Sequence, residues 1–247
     1  MEWYPTPSHL VKRQAILDFI VTLHERDFLE VGCGAGDLAC ELAKKGFEGL
    51  GIDYSDEAVN CANGRLVGDR VKIEKKNIDD VEGHYSIVIA CDVIEHYEDD
   101  VDFLKKLMVR LKPGGHLLVT VPAHMHMWGA NDDFAGHIRR YERDDLADKM
   151  KECGLRTLFI DSYGVPICNI MKPFYDRAIG KQIDAEADVE GRTKKSAGMH
   201  LFVNVKSLFR LLFNDITMYP FYVVQKMFYR TELGTAYFLV AEKTKQK

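Results

Sequence analysis

The chain has 247 residues, of which 47% are hydrophobic and 29% charged, and its formal net charge is −5. A chain of this size can bury one sizeable core, so we expect a single domain over residues 1–247. The acidic balance argues against nucleic acid as the main partner, because surfaces that bind nucleic acid are usually basic.

The six cysteines are scattered, without the spacing of a metal site. This usage is typical of a reducing compartment. The first residues lack the basic and apolar regions of a secretory signal, and no window holds the roughly 18 apolar residues of a membrane span. We therefore expect a cytoplasmic location.

Short apolar runs alternate with amphipathic stretches over residues 9–163, which is typical of βα units around a parallel sheet. The predicted strands are residues 27–31, 49–53, 71–75, 85–90, 116–121, 155–163 and 236–242. Two clear helices are predicted, over residues 37–45, ending at Gly46, and over residues 102–111. The residues 112–115 that follow suit a type II turn.

The composition and the hydrophobic pattern of the sequence change after Tyr163. Residues 181–200 are mostly polar without an apolar period, which predicts a mobile loop. Residues 201–230 are rich in aromatic and aliphatic groups with interspersed bases. We expect residues 164–234 to form an insertion that serves as a lid or substrate wall. A peripheral membrane contact and an ordinary helical cap are the alternatives.

The strongest signal is the segment FLEVGCGAGD, an apolar strand that ends in Glu30 and is followed by Gly32, Gly34 and Gly36. Glycines at this point allow a tight turn and a close approach of the backbone to a ligand. The next predicted strand ends in Asp53. Neighbouring strands of a doubly wound sheet open onto one crevice, so this carboxylate would face the same ligand and could bind a ribose.

Asp37 helps to choose among ligands. The dinucleotide fingerprint G-x-G-x-x-G requires its last glycine at this position, where a pyrophosphate would lie nearby. Two anions about 4 Å apart repel by roughly 4 kcal/mol at an effective dielectric constant of 20. A ligand without phosphates is therefore favoured over a nicotinamide dinucleotide.

The acid followed by x-G-x-G-x-G resembles the first motif of the class I S-adenosyl-L-methionine (SAM)-dependent methyltransferases. The resemblance covers about residues 9–163 and the final strand. It implies an α/β fold of three αβα layers, with a doubly wound, seven-stranded, mostly parallel Rossmann-like sheet. The last strand would be antiparallel, with a helical insertion before it.

The resemblance also implies a cofactor site. The glycine loop with its acid would hold the methionine part of SAM, and the end of the second strand would hold the ribose. Further positions would contact the adenine, the methionine end and the cofactor carboxylate, the last from a helical segment 1–25 that covers the cofactor. The implied residues are Arg13, Glu30, Gly32, Gly34, Gly36, Asp53, Tyr54, Asn77, Ile78, Asp79, Cys91 and Asp92. Turn, capping and surface roles are the alternatives for several of them, including Arg13, Asp53, Asn77 and Asp79.

Asp92, Glu95 and His96 have i, i+3, i+4 spacing, so on a helix they would share a face and could hold a divalent ion. A similar segment occurs in related methyltransferases of hydroxylated quinone precursors, where a metal role is proposed. Helix capping and packing beside the cofactor are the favoured alternatives. We therefore predict no bound metal.

The segment G-H-x-R-R-Y after the fifth strand resembles one found in many small-molecule methyltransferases. It makes His137 the first candidate for a general base and His124 the second. Arg139, Arg140 and Tyr141 would bind the acceptor or support the loop. A structural role for His137 is equally open.

These observations predict an enzyme that transfers a methyl group from SAM to a small molecule, at oxygen. The acceptor could be hydrophobic, lipid-like or glycan-like. The alternatives are a nicotinamide-dependent oxidoreductase and a non-catalytic SAM-binding module. The oligomeric state is not predicted.

Overall fold

The computed structural model describes residues 3–185 and 212–244. Its centre is a seven-stranded sheet in the order β3-β2-β1-β4-β5-β7-β6. All neighbouring strands are parallel except where β7 pairs with β5 and β6. The strands are β1 Asp27–Val31, β2 Glu48–Asp53, β3 Val71–Lys75, β4 Tyr85–Cys91, β5 Leu111–Pro122, β6 Leu155–Tyr163 and β7 Ala236–Lys243.

Helices cover both faces of the sheet, because alternate residues of the central strands face opposite sides. In β4, Val88 and Ala90 pack into one apolar cluster, while Ile87 and Ile89 pack into the other. The helices among the described residues are α1 Pro7–Ile20, α2 Asp37–Lys44, α3 Asp56–Asn63, α4 Asp100–Val109, α5 Ala130–Ala135, α6 Arg143–Glu152, α7 Ile167–Ala185 and α8 Asp215–Gln225. The three-layer doubly wound fold expected from the sequence is confirmed.

Local signals explain where several helices begin. The Thr6 hydroxyl accepts from the amide of His9 at 3.3 Å, with Pro7 as the first residue of α1. Ser55 caps α3 in the same way through the amide of Ala58, at 3.2 Å. Each cap satisfies an amide that has no partner inside its helix.

The predicted bounds of α4 and β5 were wrong. The Asp99 carboxylate accepts from the amide of Asp102 at 2.8 Å, which starts α4 two residues earlier than expected. Leu111 pairs with Tyr85 and so belongs to β5. The turn 112–115 lies inside β5 as an irregularity of the ladder, with Gly114 at a φ of +80°.

The predicted mobile loop over residues 181–200 was wrong at its start, because α7 continues to Ala185. Residues 186–200 of that loop, and residues 201–211 of the predicted apolar insertion, lie outside the described residues. The described part of the insertion is helical, with α8 followed by a 3₁₀ turn over Lys226–Phe228.

Helix α8 packs on α1, and the side chain of Gln225 in α8 is fully buried. The Gln225 Nε2 donates to the carbonyl of Val11 at 3.2 Å, and its Oε1 accepts from the amide of Gly164 at 3.3 Å. Lys226 forms an ion pair with Asp18 of α1 at 2.6 Å. None of the helices described is long and apolar enough to span a bilayer.

Candidate cofactor and acceptor site

A cavity of about 430 Å³ opens at the edge of the sheet where the parallel strands β1 and β4 end. The glycine loop after β1 forms its floor, α1 covers it, and α5 and α7 form the far wall. This is the crevice in which doubly wound sheets bind their ligands.

Gly32, Gly34 and Gly36 all have positive φ, at +71°, +53° and +71°. A Cβ on Gly32 would lie 2.6 Å from Val93 Cγ2, and one on Gly36 would lie 2.7 Å from Ala62 Cβ. These two glycines are required by packing within the protein. A Cβ on Gly34 would have no described atom within 4 Å, so of the three only Gly34 has room for a side chain, although Gly32 also lines the cavity.

Asp53 ties the loop to the end of β2. Its Oδ2 accepts from the amide of Gly34 at 2.9 Å, and its Oδ1 accepts from the amide of Ser55 at 3.0 Å. An ionised carboxylate has further acceptor positions on both oxygens. The carboxylate therefore positions the loop. Asp53 and Tyr54 are not among the residues that line the cavity, and their contacts with a cofactor stay predictions. The adjacent Tyr54 is 63% exposed.

Glu30 lies under the loop, is almost completely buried and lines the cavity. Its Oε2 has no hydrogen-bond partner among the described residues. Burial raises the pKa of this carboxyl to about 8, although Lys12 opposes that shift. A cation placed in the cavity would favour the ionised form and give the oxygen a partner.

Helix α1 is tied over the loop by ion pairs that the sequence prediction missed. The Lys12 Nζ donates to Asp92 Oδ2 at 2.7 Å. Arg13 is buried between Asp37 and Asp215, with its Nη atoms 2.6–3.1 Å from both carboxylates. The role of Arg13 towards a cofactor carboxylate stays a prediction.

The charge of Asp37, which the sequence predicts to repel a pyrophosphate, is partly neutralised in the structure. Its carboxylate binds Arg65 at 3.0 Å in addition to Arg13. Two guanidinium groups therefore offset its charge, so its repulsion of a pyrophosphate is weaker than the sequence alone suggested.

Cys91 and Asp92 line the cavity, where the methionine end was expected. Burial raises the pKa of Cys91 to about 12, so it remains a thiol. The Asp92 carboxylate accepts from Thr120 Oγ1 at 2.9 Å and from Lys12. Burial opposes the ionised form of Asp92, but Lys12 outweighs it and lowers its pKa.

The three candidates for the adenine lie outside the lining of the cavity. Asn77 is exposed and precedes a 3₁₀ turn over Ile78–Asp80, in which Ile78 is buried in the core. Asp79 forms a surface ion pair with Lys106 at 3.0 Å. Their contacts with a cofactor stay predictions.

The helical face expected for Asp92, Glu95 and His96 does not form. Asp92 has a φ of +54°, and residues 94–96 make a single 3₁₀ turn. Glu95 and His96 instead approach His137, with their ligating atoms within 4.8 Å of one another. Glu95 is fully buried, which together with the charge of Asp92 raises its pKa well above the usual value. That no metal is bound stays a prediction.

His137 lies at the cavity, with its side chain 11% exposed. Its Nδ1 lies 2.9 Å from Asp132 Oδ1, and its Nε2 lies 3.7 Å from Glu95 Oε1. Asp132 is fully buried and also binds Arg140, whose Nε and Nη2 donate to its two oxygens at 2.9 Å. The sequence prediction missed Asp132, whose only signal was an acid placed to cap α5.

The second base candidate, His124, is not among the residues that line the cavity. It is buried, with its Nδ1 2.9 Å from Glu142 Oε2. Arg139 and Tyr141 bind Asp100, at 2.9 and 2.8 Å, and support the loop. Of the G-H-x-R-R-Y segment, only His137 and Arg140 reach the cavity.

The far wall of the cavity is mostly apolar. It is formed by α5 and α7 together with the ends of β6 and β7. The apolar groups are Phe134, Cys168, Met171, Tyr175 and Ile179. Lys172 is held there by Asp176 at 2.6 Å. The arrangement leaves a largely apolar compartment beside His137.

This fold and site are of the class I methyltransferase type. The strands end at the glycine loop and at the acids Glu30 and Asp92, and His137 lies at the opposite wall. A model of the methyltransferase domain family matches residues 10–158. The chain belongs to this family, and the resemblance found in the sequence is confirmed.

A relative of known sequence agrees with that family, and a solved structure shares the fold. A ubiquinone biosynthesis O-methyltransferase of Nitrosospira multiformis is 31% identical over 117 residues, which are 44% of this chain and 49% of the relative. The chain thus matches about half the length of this relative. Phosphoethanolamine N-methyltransferase 2 of Haemonchus contortus, solved with SAM, has a TM-score of 0.62 at 17% identity, covering 98% of this chain and 54% of that one.

The fold alone does not determine the reaction. The [4+2]-cyclase SpnF has a TM-score of 0.59 at 14% identity, covering 99% of this chain and 87% of that one. Function must therefore be argued from the side chains of the site.

Proposed function

We propose that this protein is an enzyme that transfers the methyl group of SAM to an oxygen of a small-molecule acceptor. The observation that carries the proposal is the open space beside Gly34, which continues past Glu30 to an apolar wall and His137. One end of this cavity suits a cationic amino acid cofactor, and the other suits a neutral acceptor.

The residues present fit the cofactor. Its sulfonium would supply an electrophilic methyl group, and it carries an ammonium group. Glu30 offers a buried oxygen without a described partner, and Asp92 adds a second carboxylate at the end of β4. Gly34 leaves the backbone bare where the cofactor would lie. Asp53 stands at the end of β2, as a ribose ligand should.

The acceptor would lie against α5 and α7. The wall there suits an aromatic or aliphatic body, and His137 is positioned to accept the proton of a hydroxyl. Alignment of the oxygen with the methyl carbon, at about 3–3.5 Å, would supply much of the rate. The relatives named O-methyltransferases support oxygen as the acceptor atom.

A membrane contact is a further part of the proposal. Helix α8 exposes apolar side chains at 3- and 4-residue spacing, namely Ile216, Tyr219 and Val223, and Met227 continues the row. The exposed Arg230 lies beyond the end of this row and suits an anionic lipid surface, whereas Lys226 is already paired with Asp18. Sedimentation with phosphatidylglycerol vesicles tests it, and failure to bind them at low salt would remove it. A cytoplasmic location stays a prediction.

Isothermal titration calorimetry with SAM and with its demethylated product tests the central proposal. We expect saturable binding of both. Reduced nicotinamide cofactor, titrated by fluorescence, should not bind, because Asp37 replaces the third fingerprint glycine, which the close helix–strand packing of a dinucleotide site requires. Absence of binding to both sulfur compounds would overturn the proposal, and binding of the nicotinamide alone would favour an oxidoreductase.

A further inference from the structure

The four contacts of Asp132 determine its protonation state. Its Oδ1 accepts from Arg140 Nε and lies 2.9 Å from His137 Nδ1, and its Oδ2 accepts from Arg140 Nη2 at 2.9 Å and from the amide of Gly129 at 2.8 Å. Burial alone would raise the pKa of Asp132, but the bonds from His137 and Arg140 outweigh it and lower the pKa to about 2. The carboxylate is therefore ionised at neutral pH.

An ionised carboxylate can only accept hydrogen bonds. The ring nitrogen that faces it must therefore carry a proton, which fixes the neutral imidazole of His137 with hydrogen on Nδ1. The lone pair is then on Nε2, on the side of Glu95 and His96. Glu95 Oε1 lies 3.7 Å from Nε2, beyond hydrogen-bond distance, so it does not hold a proton on that nitrogen.

Arg140 is the reason that this arrangement can be buried. Its side chain is held by Asp132 and by a 2.8 Å bond from Nη1 to the carbonyl of Ala123, at the end of β5. A buried carboxylate without such a partner would be protonated instead. Through the Asp132–Arg140 ion pair, the His137 ring is therefore held in a fixed position relative to the end of β5.

We propose that Asp132 is a positioning residue that holds His137 as the Nδ1–H tautomer, so that Nε2 is the proton acceptor at the methyl-transfer site. This inference rests on the proposed function. The O–H bond of the acceptor breaks and its proton moves to Nε2. The oxygen electron pair forms the bond to the methyl carbon, and the carbon–sulfur bond breaks with its electron pair going to sulfur.

The test is nitrogen NMR of uniformly ¹⁵N-labelled full-length protein, with a chelator present and His137 assigned by comparison with His137→Gln. In the wild type at high pH we expect a protonated Nδ1 and an unprotonated Nε2, and on acidification the new proton should appear on Nε2. A wild-type spectrum with the proton on Nε2 would overturn the proposal, whatever the variants do.

Asp132→Asn is the informative variant. Asparagine can donate as well as accept a hydrogen bond, so it no longer requires a proton on Nδ1 of His137. We expect the Nδ1–H signal of His137 to be lost or mixed with an Nε2–H signal. Asp133→Asn is the matched control, since Asp133 lies on the same helix and accepts from Trp128 Nε1 instead. An unchanged tautomer in Asp132→Asn, or the same change in both variants, would overturn the positioning role.

Calorimetry with SAM on the same samples separates the two proposals. SAM binding by Asp132→Asn should stay within about threefold of the wild type, because the carboxylate touches the histidine and not the glycine loop. If the wild type fails to bind SAM while the tautomer is as expected, the proposed function fails and the geometry of the pair stands.

Discussion

At the scale of single residues, Gly34 differs from the other two glycines of its loop. Gly32 and Gly36 are required because a side chain would collide with Val93 or Ala62, whereas Gly34 faces the cavity. The sequence motif treats the three alike. Only the packed structure separates the glycine that has free space at its Cβ position from the two whose Cβ position is occupied by neighbouring side chains.

Gly34→Ala should reduce SAM affinity at least tenfold, equivalent to about 1.4 kcal/mol, because the added methyl group enters the cofactor space. Gly46→Ala is the matched control, since Gly46 also has positive φ, at +82°, and open space around it. Both variants should lose about 1–2 kcal/mol of unfolding free energy through backbone strain. Calorimetry that shows equal SAM affinity in both would place the cofactor elsewhere.

Glu30→Gln tests the buried acid. The pKa of Glu30 is raised from 4.5 to about 8 in the folded protein, so folding takes up a proton between these values. Its contribution to the unfolding free energy is full below pH 4.5 and is lost as the pH rises through about 8. The variant cannot ionise and should not lose this contribution.

Urea unfolding at pH 5, 6.5 and 8 measures the difference. Relative to the wild type, Glu30→Gln should gain a few kcal/mol between pH 5 and pH 8. The exposed Glu25→Gln should follow the wild type at all three values. A difference between Glu30→Gln and the wild type that does not change with pH would contradict burial as the cause.

The catalytic candidates show how far residue-level prediction reaches. His137 was found because the G-H-x-R-R-Y segment resembles a known pattern, and it does lie at the cavity. His124 was named second from the same resemblance, but it is not among the residues that line the cavity and contacts Glu142. Asp132 was missed because its partners His137 and Arg140 follow α5 in irregular backbone, where no helix or strand period relates them to Asp132.

At the scale of elements, strands were predicted better than helix ends. The bounds of β1, β3 and β6 match the prediction, because apolar runs end there at turn residues or in charged segments. Helix α4 was misplaced because its start depends on the cap by Asp99, and its end depends on the pairing of Leu111 with Tyr85. The Asp99 cap depends on side-chain geometry and the Leu111–Tyr85 pairing is a tertiary contact. Neither produces a periodic pattern in the sequence.

The attachment of α8 to α1 gives a prediction at this scale. Gln225→Leu keeps the side-chain volume but removes the acceptor of the buried Gly164 amide and the donor to Val11. It should lower the unfolding free energy by about 1–3 kcal/mol, the cost of a buried polar group without a partner.

Val223→Ala, on the same helix and half exposed, is the comparison for denaturant unfolding. It should change the unfolding free energy by less than about 0.5 kcal/mol. Equal effects of the two substitutions would mean that α8 is held by its apolar contacts and not by Gln225.

At the scale of the whole molecule, ligand binding and stability are linked. If SAM binds only the folded chain, a concentration of 100 times Kd adds about 2.7 kcal/mol to the unfolding free energy. For a domain of this size that corresponds to an increase in Tm of roughly 5–10 °C. Differential scanning fluorimetry with SAM should show this shift in the wild type.

Two comparisons make the thermal shift specific. Gly34→Ala at the same SAM concentration should shift much less, because the variant loses affinity. Reduced nicotinamide cofactor should leave the wild-type Tm unchanged. A larger shift with the nicotinamide than with SAM would contradict the proposed cofactor.

The position of β7 between β5 and β6 affects how the chain folds during its synthesis. Among the strands of the sheet, β6 pairs with β7 alone. A chain still emerging from the ribosome therefore carries an unpaired β6 and an open side of β5 until residues 236–243 are synthesised, and such open edges readily bind other chains. Until that strand is inserted, the edges of β5 and β6 should be the sites at which the nascent chain associates with other chains.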